Sequence, residues 1–374
     1  MNPPTIGVVG LGTMGLGIAQ VFAQAGFPVI ATDAQPSARN SARDRLSDSL
    51  QPRVAAGKLS EADCDRTLAD LSVATDLAAL APCALIIEAI VEKLDAKRSL
   101  FATLEGVIEP SAILATNTSS LPIHAVAEDL RHPDRVLALH FFNPPPAMKL
   151  VELAPHATTA ADTIARARAW TEAAGKTVIL CPDRPGFIVN RCARPYYGEA
   201  LALLAEGRAA SEIDAAMMAA GYRLGPFALI DLIGADINLA ATEGMHSSMG
   251  GHPRYHPFDA LKAQVASGHL GRKTGRGFIF PEPPHNPPPD AGAIVLRIEA
   301  MLVSEAHWLL HEGGVTSQGI DTAMRLGLNF PHGPFDALAR HGRDVILQEL
   351  ARCRAAAPDP LKPRYDPAPG LEAT

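Results

Sequence analysis

The spacing of apolar and polar positions changes character near residue 186. Before that point, short apolar runs alternate with stretches whose apolar residues recur at helical spacing. Thr5–Val9, Pro28–Asp33, Ala84–Ala89, Ile113–Thr116 and Val136–Phe142 are strand-length runs rich in β-branched residues and leucine. Gly17–Ala25 predicts a helix between the first two, and Gly26 stands in the usual place of a C-cap. A polar, helix-compatible stretch from Ser37 to Leu71 is longer than a plain crossover helix needs. Strands alternating with helices predict a parallel sheet with right-handed crossovers over residues 1–185.

From Gly186 onward the pattern is helical, with clear segments at Glu199–Glu206 and Ser211–Ala220. The proline-rich stretch 281–290 predicts a stiff linker, and further helices follow over 291–356. The tail, 357–374, is proline-rich and is expected to be disordered. An internal repeat flanks the linker. Ile188-Val-Asn-Arg191, Glu199, Glu206-Gly207, Ile213-Asp214, Met217 and Gly225-Pro-Phe227 make the first copy. Ile294-Val-Leu-Arg297, Glu305, Glu312-Gly313, Ile320-Asp321, Met324 and Gly333-Pro-Phe335 make the second, in the same order. The expected architecture is therefore an α/β domain followed by two all-α domains related by duplication. Asn190 of the first copy faces Leu296 of the second, so the second copy has lost a polar group.

Composition narrows the function. The 374 residues carry 33 Lys and Arg against 40 Asp and Glu, a formal net charge of −7. Such a balance, with only 5% aromatics, argues against a nucleic-acid partner. No apolar run reaches about 18 residues, so no membrane span is expected, and no signal segment is visible. Cys64, Cys83, Cys181, Cys192 and Cys353 form an odd set without a C-x-x-C pair. That fits neither a disulfide framework nor a metal site, and predicts a cytoplasmic protein.

The first strand runs into Gly10-Leu-Gly-Thr-Met-Gly15, which opens the first helix, and Asp33 ends the second strand. Alone, three glycines in a turn are a weak signal; in this context they read as a Rossmann-type dinucleotide loop. Gly10 permits the turn, and Gly12 admits a pyrophosphate to the helix N-terminus at Thr13 and Met14. Gly15 allows close packing, and Asp33 suits a ribose 2′-hydroxyl, which favours NAD over NADP. His140 ends an apolar strand, where open α/β sheets present ligand sites. A histidine there is either structural or catalytic. A proline turn follows it, then Met148-Lys-Leu-Val-Glu152, so Glu152 could return beside the ring and form an acid–base dyad. Thr116-Asn-Thr-Ser-Ser120 reads either as a helix cap or as hydroxyls presented to a ligand.

Together, Gly10–Gly15, Asn117–Ser120, His140-Phe-Phe-Asn-Pro144, Met148–Glu152 and Pro185-Gly-Phe-Ile-Val-Asn-Arg191 resemble the L-3-hydroxyacyl-CoA dehydrogenase family, over residues 5–280. The resemblance implies NAD-dependent oxidation of (S)-3-hydroxyacyl-CoA to 3-oxoacyl-CoA, or the reverse. It implies that His140 is the general base, oriented by Glu152, and that Ser119 and Asn190 hold the substrate. It implies that Asn143 lines the nicotinamide and substrate pocket, and that Glu92, Lys97 and Lys273 lie near NAD. Ser49 and Lys58 are the candidates for contacts to CoA, although Pro52 and a length difference disturb that match.

Other readings are a dehydrogenase of free hydroxy acids or sugar acids, a crystallin-like relative without activity, and a multifunctional β-oxidation protein. For the last, a hydratase activity is expected to come from another chain. The acyl chain is not legible. The second helical copy is expected to pack on the first in place of a partner subunit.

Overall fold

The computed structural model describes residues 3–372 and divides the chain after Arg184 into two compact units. The first is a sheet of eight strands. β1 (Ile6–Val9) leads through α1 (Thr13–Gln24) to β2 (Val29–Thr32). The long polar stretch is a helical hairpin, α2 (Pro36–Ala55) and α3 (Glu61–Ala69), with Pro52 in the last turn of α2. The remaining strands are β3 (Leu71–Val73), β4 (Leu85–Glu88), β5 (Ile113–Thr116), β6 (Val136–Phe141), β7 (Leu150–Pro155) and β8 (Thr177–Leu180). Helices α4 (Leu94–Glu105), α5 (Ile123–Ala127) and α6 (Ala161–Ala173) connect them.

The strand order is β3-β2-β1-β4-β5-β6-β7-β8. All neighbours pair in parallel except β6 and β7, which are antiparallel. Strands β1, β4, β5 and β6 are buried along their whole length, as expected where helices cover both faces. Phe22 of α1 sits edge-on to Phe27 and Phe141, with ring centroids 5.6 and 6.3 Å away. The short sheet-edge strands β3 and β8 were not among the sequence expectations. In β3 only Leu71 is buried, and in β8 Leu180 points to solvent, so neither shows a sustained apolar run.

The second unit is helical. Its first half holds α7 (Val189–Cys192), α8 (Arg194–Ala205), α9 (Ala210–Ala219), α10 (Pro226–Ile233), α11 (Ala235–Ser248) and α12 (Asp259–Ala266). After the linker come α13 (Ala291–His311), α14 (Ser317–Leu328), α15 (Pro334–His341) and α16 (Arg343–Ala356). Both halves belong to one compact unit rather than to two separate helical domains. The 21-residue α13 is buried on most sides, packing on α8 and α9 of the first half and on α15 and α16 of its own.

The repeat landmarks have matching roles. Asp214 accepts the Phe227 N–H at 2.9 Å, and Asp321 accepts the Phe335 N–H at 2.9 Å. A Cβ on Gly225 would come within 2.3 Å of Asp214 Cγ, and one on Gly333 within 2.2 Å of Asp321 Cγ. Only glycine fits before the proline in both halves.

The charged landmarks cross between the halves. Arg191 Nε donates to Glu305 Oε1 at 2.6 Å, and its Nη1 and Nη2 donate to the two Glu312 oxygens at 2.7 Å. Arg297 Nε donates to Glu199 Oε2 at 3.0 Å, and its Nη atoms donate to Glu206 at 2.6 and 2.8 Å. Each arginine thus pairs with two acids of the other half, at corresponding positions of the repeat. Burial alone would lower both guanidinium pKa values, but the facing carboxylates outweigh it and raise them.

The expected disorder of the tail is corrected as far as residue 372. Asp359–Tyr365 form a 3-10 helix, in which Arg364 is fully buried and Tyr365 nearly so. Arg364 Nε donates to Glu199 Oε1 at 2.6 Å, and Leu371 joins the apolar cluster around Met301, Ile346 and Leu350. Its composition reads as disordered, but its arginine and tyrosine neutralise and hydrogen-bond a buried carboxylate.

Candidate active site

The glycine loop joins β1 to α1. Gly10 has φ +99°, and a Cβ there would lie 2.5 Å from the Ala89 carbonyl oxygen. A Cβ on Gly15 would overlap the Gly10 carbonyl oxygen at 1.8 Å. Both positions are sterically closed to any side chain. Gly12, by contrast, has open space where its Cβ would be, and no side chain caps the N-terminus of α1. The amides of the first turn, with Thr13 and Met14, therefore front an uncapped, unobstructed helix end, which fits a pyrophosphate. Asp33 braces the loop by accepting the Leu11 N–H at 2.7 Å and the Gln35 N–H at 2.8 Å. Arg45 Nη1 donates to the Leu11 carbonyl at 2.8 Å from the helical hairpin. Site and cofactor chemistry thus fit.

At the C-terminal ends of β4 and β5 lies a buried charge network. Lys97 is 1% exposed and stands 2.7 Å from Glu88 Oε1 and 3.1 Å from Glu92 Oε2. Glu88 also accepts the Thr116 hydroxyl at 2.7 Å. Glu92 accepts the Ser119 N–H at 3.1 Å, the Ser120 hydroxyl at 3.1 Å and the Thr118 hydroxyl. Asn117 Oδ1 accepts the Phe141 N–H at 2.8 Å, tying the same loop to β6. The 117–120 segment is therefore not a helix cap. It is a loop held by Glu92 and Asn117, with Ser119 half-buried within it. Lys97 is spent on two carboxylates, so its role is to hold Glu92 rather than to reach out itself.

Burial would raise the Glu92 carboxyl, but the Lys97 charge and the Thr118, Lys97 and Ser119 hydrogen bonds outweigh it and hold it below its usual range. A depressed pKa adds stability above the ordinary glutamate value of 4.5, and that stability is lost as pH falls through the folded value. Glu92→Gln is expected to cost about 1 kcal/mol at pH 7, since the side chain is 37% exposed and screened. Thermal melts should show the gap between variant and parent closing as the pH is taken below 4.5. A gap that stays constant to acid pH would contradict the assignment.

His140 and Glu152 stand directly opposite each other in the antiparallel β6–β7 ladder. Both are buried, and His140 Nδ1 lies 2.7 Å from Glu152 Oε2. A carboxylate only accepts, so Nδ1 carries the proton and Nε2 is the basic nitrogen. The Phe142 ring is 4.6 Å from the imidazole, centroid to centroid. Asn143 is exposed in the loop that follows, and Pro145 of that loop packs where a Cβ on Gly17 would come within 2.8 Å.

The remaining expected site residues are placed as follows. The Ser49 hydroxyl is already bonded, standing 2.7 Å from the Leu46 carbonyl within the hairpin and 3.0 Å from Gln20 Oε1 of α1. Lys58 is exposed in the turn between α2 and α3. In the helical unit, Asn190 is half-buried on α7, and its carbonyl accepts the Arg194 Nε–H at 3.1 Å. Lys273, in the Arg272–Thr274 turn, is paired to both Asp236 oxygens at 2.5 and 2.7 Å. Glu88 and Arg45 were not among the expected site residues. Glu88 carried a signal, as an acid closing the apolar run Leu85-Ile-Ile87; Arg45 carried none.

The sequence models of the 3-hydroxyacyl-CoA dehydrogenase NAD binding domain and C-terminal domain match residues 5–184 and residues 186–280 with 292–373. The chain is 34% identical to the 3-hydroxyadipyl-CoA dehydrogenase of Escherichia coli K12, over 94% of this chain and 93% of that protein. It is 41% identical to a 3-hydroxybutyryl-CoA dehydrogenase of Mycobacterium tuberculosis H37Rv, over 73% of this chain and 96% of that one. The crystal structure of a 3-hydroxybutyryl-CoA dehydrogenase from Escherichia coli K12 superposes with a TM-score of 0.92 at 33% identity, covering 99% of this chain and 98% of that one. With a glycine loop shaped for a dinucleotide and a buried histidine–carboxylate pair on the same sheet, the chain belongs to the 3-hydroxyacyl-CoA dehydrogenase family and is an NAD-dependent oxidoreductase.

Proposed function

We propose that the His140–Glu152 pair performs the proton transfer of (S)-3-hydroxyacyl-CoA oxidation, and that the 2.7 Å contact is the observation that carries this reading. His140 Nε2 takes the proton of the 3-hydroxyl. Glu152, fixed on Nδ1, stabilises the resulting imidazolium and holds the tautomer. NAD, when bound, accepts the hydride that leaves C3. Ser119, whose amide Glu92 holds in place, hydrogen-bonds the 3-oxygen, and Asn190 supplies a further polar contact to the substrate. Gly10, Gly12, Thr13, Met14 and Gly15 receive the pyrophosphate, and Asp33 the adenosine ribose. Glu92, Lys97 and Asn143 shape the nicotinamide side. Lys273 is assigned to NAD, where it would have to exchange its bond to Asp236. Lys58 is the stronger of the two candidates for the CoA phosphates, since the Ser49 hydroxyl is already bonded within the hairpin.

Initial rates over a panel of 3-hydroxyacyl-CoA thioesters and free hydroxy acids with NAD test this. Turnover of the thioesters is expected, with the free acids far slower. The reverse preference would overturn it. The same panel decides between butyryl and adipyl chains, the acyl groups named for the two relatives. A cytoplasmic location is in keeping with five cysteines that are all free thiols.

The crossed arginine–glutamate pairs favour a second reading, that residues 291–356 are a repeat of 186–280 standing in for a partner subunit. The family's C-terminal domain matches both segments. Leu296, where the first half has Asn190, packs against an apolar cluster, in keeping with a half that does no chemistry. Light scattering is expected to give the mass of one 39.4 kDa chain or of an assembly formed through other surfaces. A dimer held through the first helical copy would contradict it.

A further inference from the structure

One peptide of the glycine loop depends on a side chain from outside the loop. Leu11 is buried, and Asp33 Oδ2 accepts its N–H at 2.7 Å. The peptide that follows, between Leu11 and Gly12, has no such enclosure. Gly12 is exposed, and nothing lies within 4 Å of where its Cβ would be. The opening that admits a pyrophosphate therefore also leaves this peptide room to turn over, beside a residue whose φ is not restrained by a side chain.

Its orientation matters because a trans peptide points its C=O and its N–H in opposite directions. The Leu11 C=O accepts from Arg45 Nη1 at 2.8 Å, so the Gly12 N–H is turned away from α2. That N–H has no acceptor among the described residues. The Gly12 C=O accepts the Leu16 N–H at 3.0 Å and so opens α1. The Gly12 N–H thus joins the unpaired amides of the first turn of α1, which no side chain caps. Turned over, the same peptide would present its carbonyl oxygen to the phosphates instead.

Arg45 is itself held in place by the packing of α2. That helix buries a narrow stripe, Ala42, Leu46 and Leu50, and Arg45 and Ser49 flank the stripe one turn apart. Ser49 Oγ stands 3.0 Å from Gln20 Oε1, so two polar contacts fix α2 against the glycine loop and against α1. Among the described residues Arg45 has no carboxylate partner, so its bond to the Leu11 carbonyl does not compete with an ion pair. Given the pyrophosphate placement of the proposed function, on which this rests, we propose that Arg45 is a positioning residue for the cofactor. It holds the Leu11–Gly12 peptide with its N–H toward the pyrophosphate and its carbonyl oxygen, which would repel the phosphates, turned away.

Arg45→Met in the full-length chain tests this, with NADH binding followed by its fluorescence. NADH and ADP-ribose are expected to bind about tenfold more weakly than to the parent, the scale of one hydrogen bond to a charged group. Adenosine, which carries the ribose for Asp33 but no phosphate, should compete with NADH for both proteins with the same inhibition constant. In initial rates the KM for NADH should rise, while kcat at saturating NADH and the KM for acetoacetyl-CoA stay those of the parent. Loss of one half-buried hydrogen bond should lower the melting temperature of the apo chain by only about 2–4 °C. Arg45→Gln, whose side chain is too short to reach the carbonyl, should reproduce the pattern and serves if the methionine variant does not fold. An unchanged affinity for NADH overturns the proposal. So does an equal loss for adenosine, which would make Arg45 a support of the whole domain rather than of the phosphate contact. If ADP-ribose binds the parent no better than adenosine, the pyrophosphate does not lie at this loop, and the placement fails together with the role of Arg45.

Discussion

His140→Gln is expected to lower kcat for reduction of acetoacetyl-CoA with NADH by about 10²- to 10⁴-fold, the range associated with loss of a general acid–base group. Glutamine approximates the size of imidazole and can still donate to Glu152, so the β6–β7 ladder and the glycine loop should be undisturbed. What disappears is the nitrogen proposed to exchange a proton with the 3-oxygen. Binding of NADH, followed by its fluorescence, should therefore stay close to that of the parent while turnover collapses. Glu152→Gln is the companion test. It keeps the contact at Nδ1 but removes the charge that stabilises the imidazolium, and it lets the ring adopt the wrong tautomer. Near-normal turnover in His140→Gln would remove the assignment of the base.

Arg191→Met is expected to destabilise the helical unit by about 3–5 kcal/mol, because it strands a buried carboxylate. Glu305 is 1% exposed, and among the described residues Arg191 is the only cation hydrogen-bonded to it. Tyr255 would still donate to it at 2.6 Å, but Arg254 is beyond hydrogen-bond reach. Arg297→Met should cost less, although it occupies the matching position. Glu199 would keep Arg364 at 2.6 Å and the Tyr365 hydroxyl at 3.2 Å. Burial would raise the Glu199 carboxyl, and Arg364 and Arg297 together reverse that and lower it. Pairing Arg191→Met with Glu305→Gln should recover part of the loss, since the orphaned charge is then gone. Denaturant unfolding measures all three; equal costs for the two arginines would contradict the inequality of their surroundings.

The sequence made the α/β half legible because its central strands are buried on both faces and so appear as unbroken apolar runs. Leu71–Val73 and Thr177–Leu180 escaped because each has a single fully buried residue. The dyad was legible as a possibility, two extended segments around a proline turn; the pairing of position 140 with 152 needed the ladder itself. The resemblance implied that Lys97 lies near NAD, but nothing local in the sequence reveals that Glu88 and Glu92 converge on it. The crossed ion pairs were present as repeat landmarks, but the repeat tells which residues correspond and not which half they bond to. The tail misled for the opposite reason. Its prolines suggested disorder, whereas Pro363-Arg-Tyr365 already echoed Pro253-Arg-Tyr255.

The antiparallel pairing of β6 and β7 also determines where this enzyme can change length. The two members of the dyad are set opposite each other by strand register, not by the loop that joins them. Residues added to or removed from the exposed part of that loop, between Asn143 and Lys149, leave the ladder intact. One residue lost within β7 would bring Val151 or Leu153 opposite His140, because successive side chains point to opposite faces. Drift in loop length should therefore be common among active homologues at this point. A one-residue slip in the strand is the smallest change that turns the same composition into a protein without a base partner.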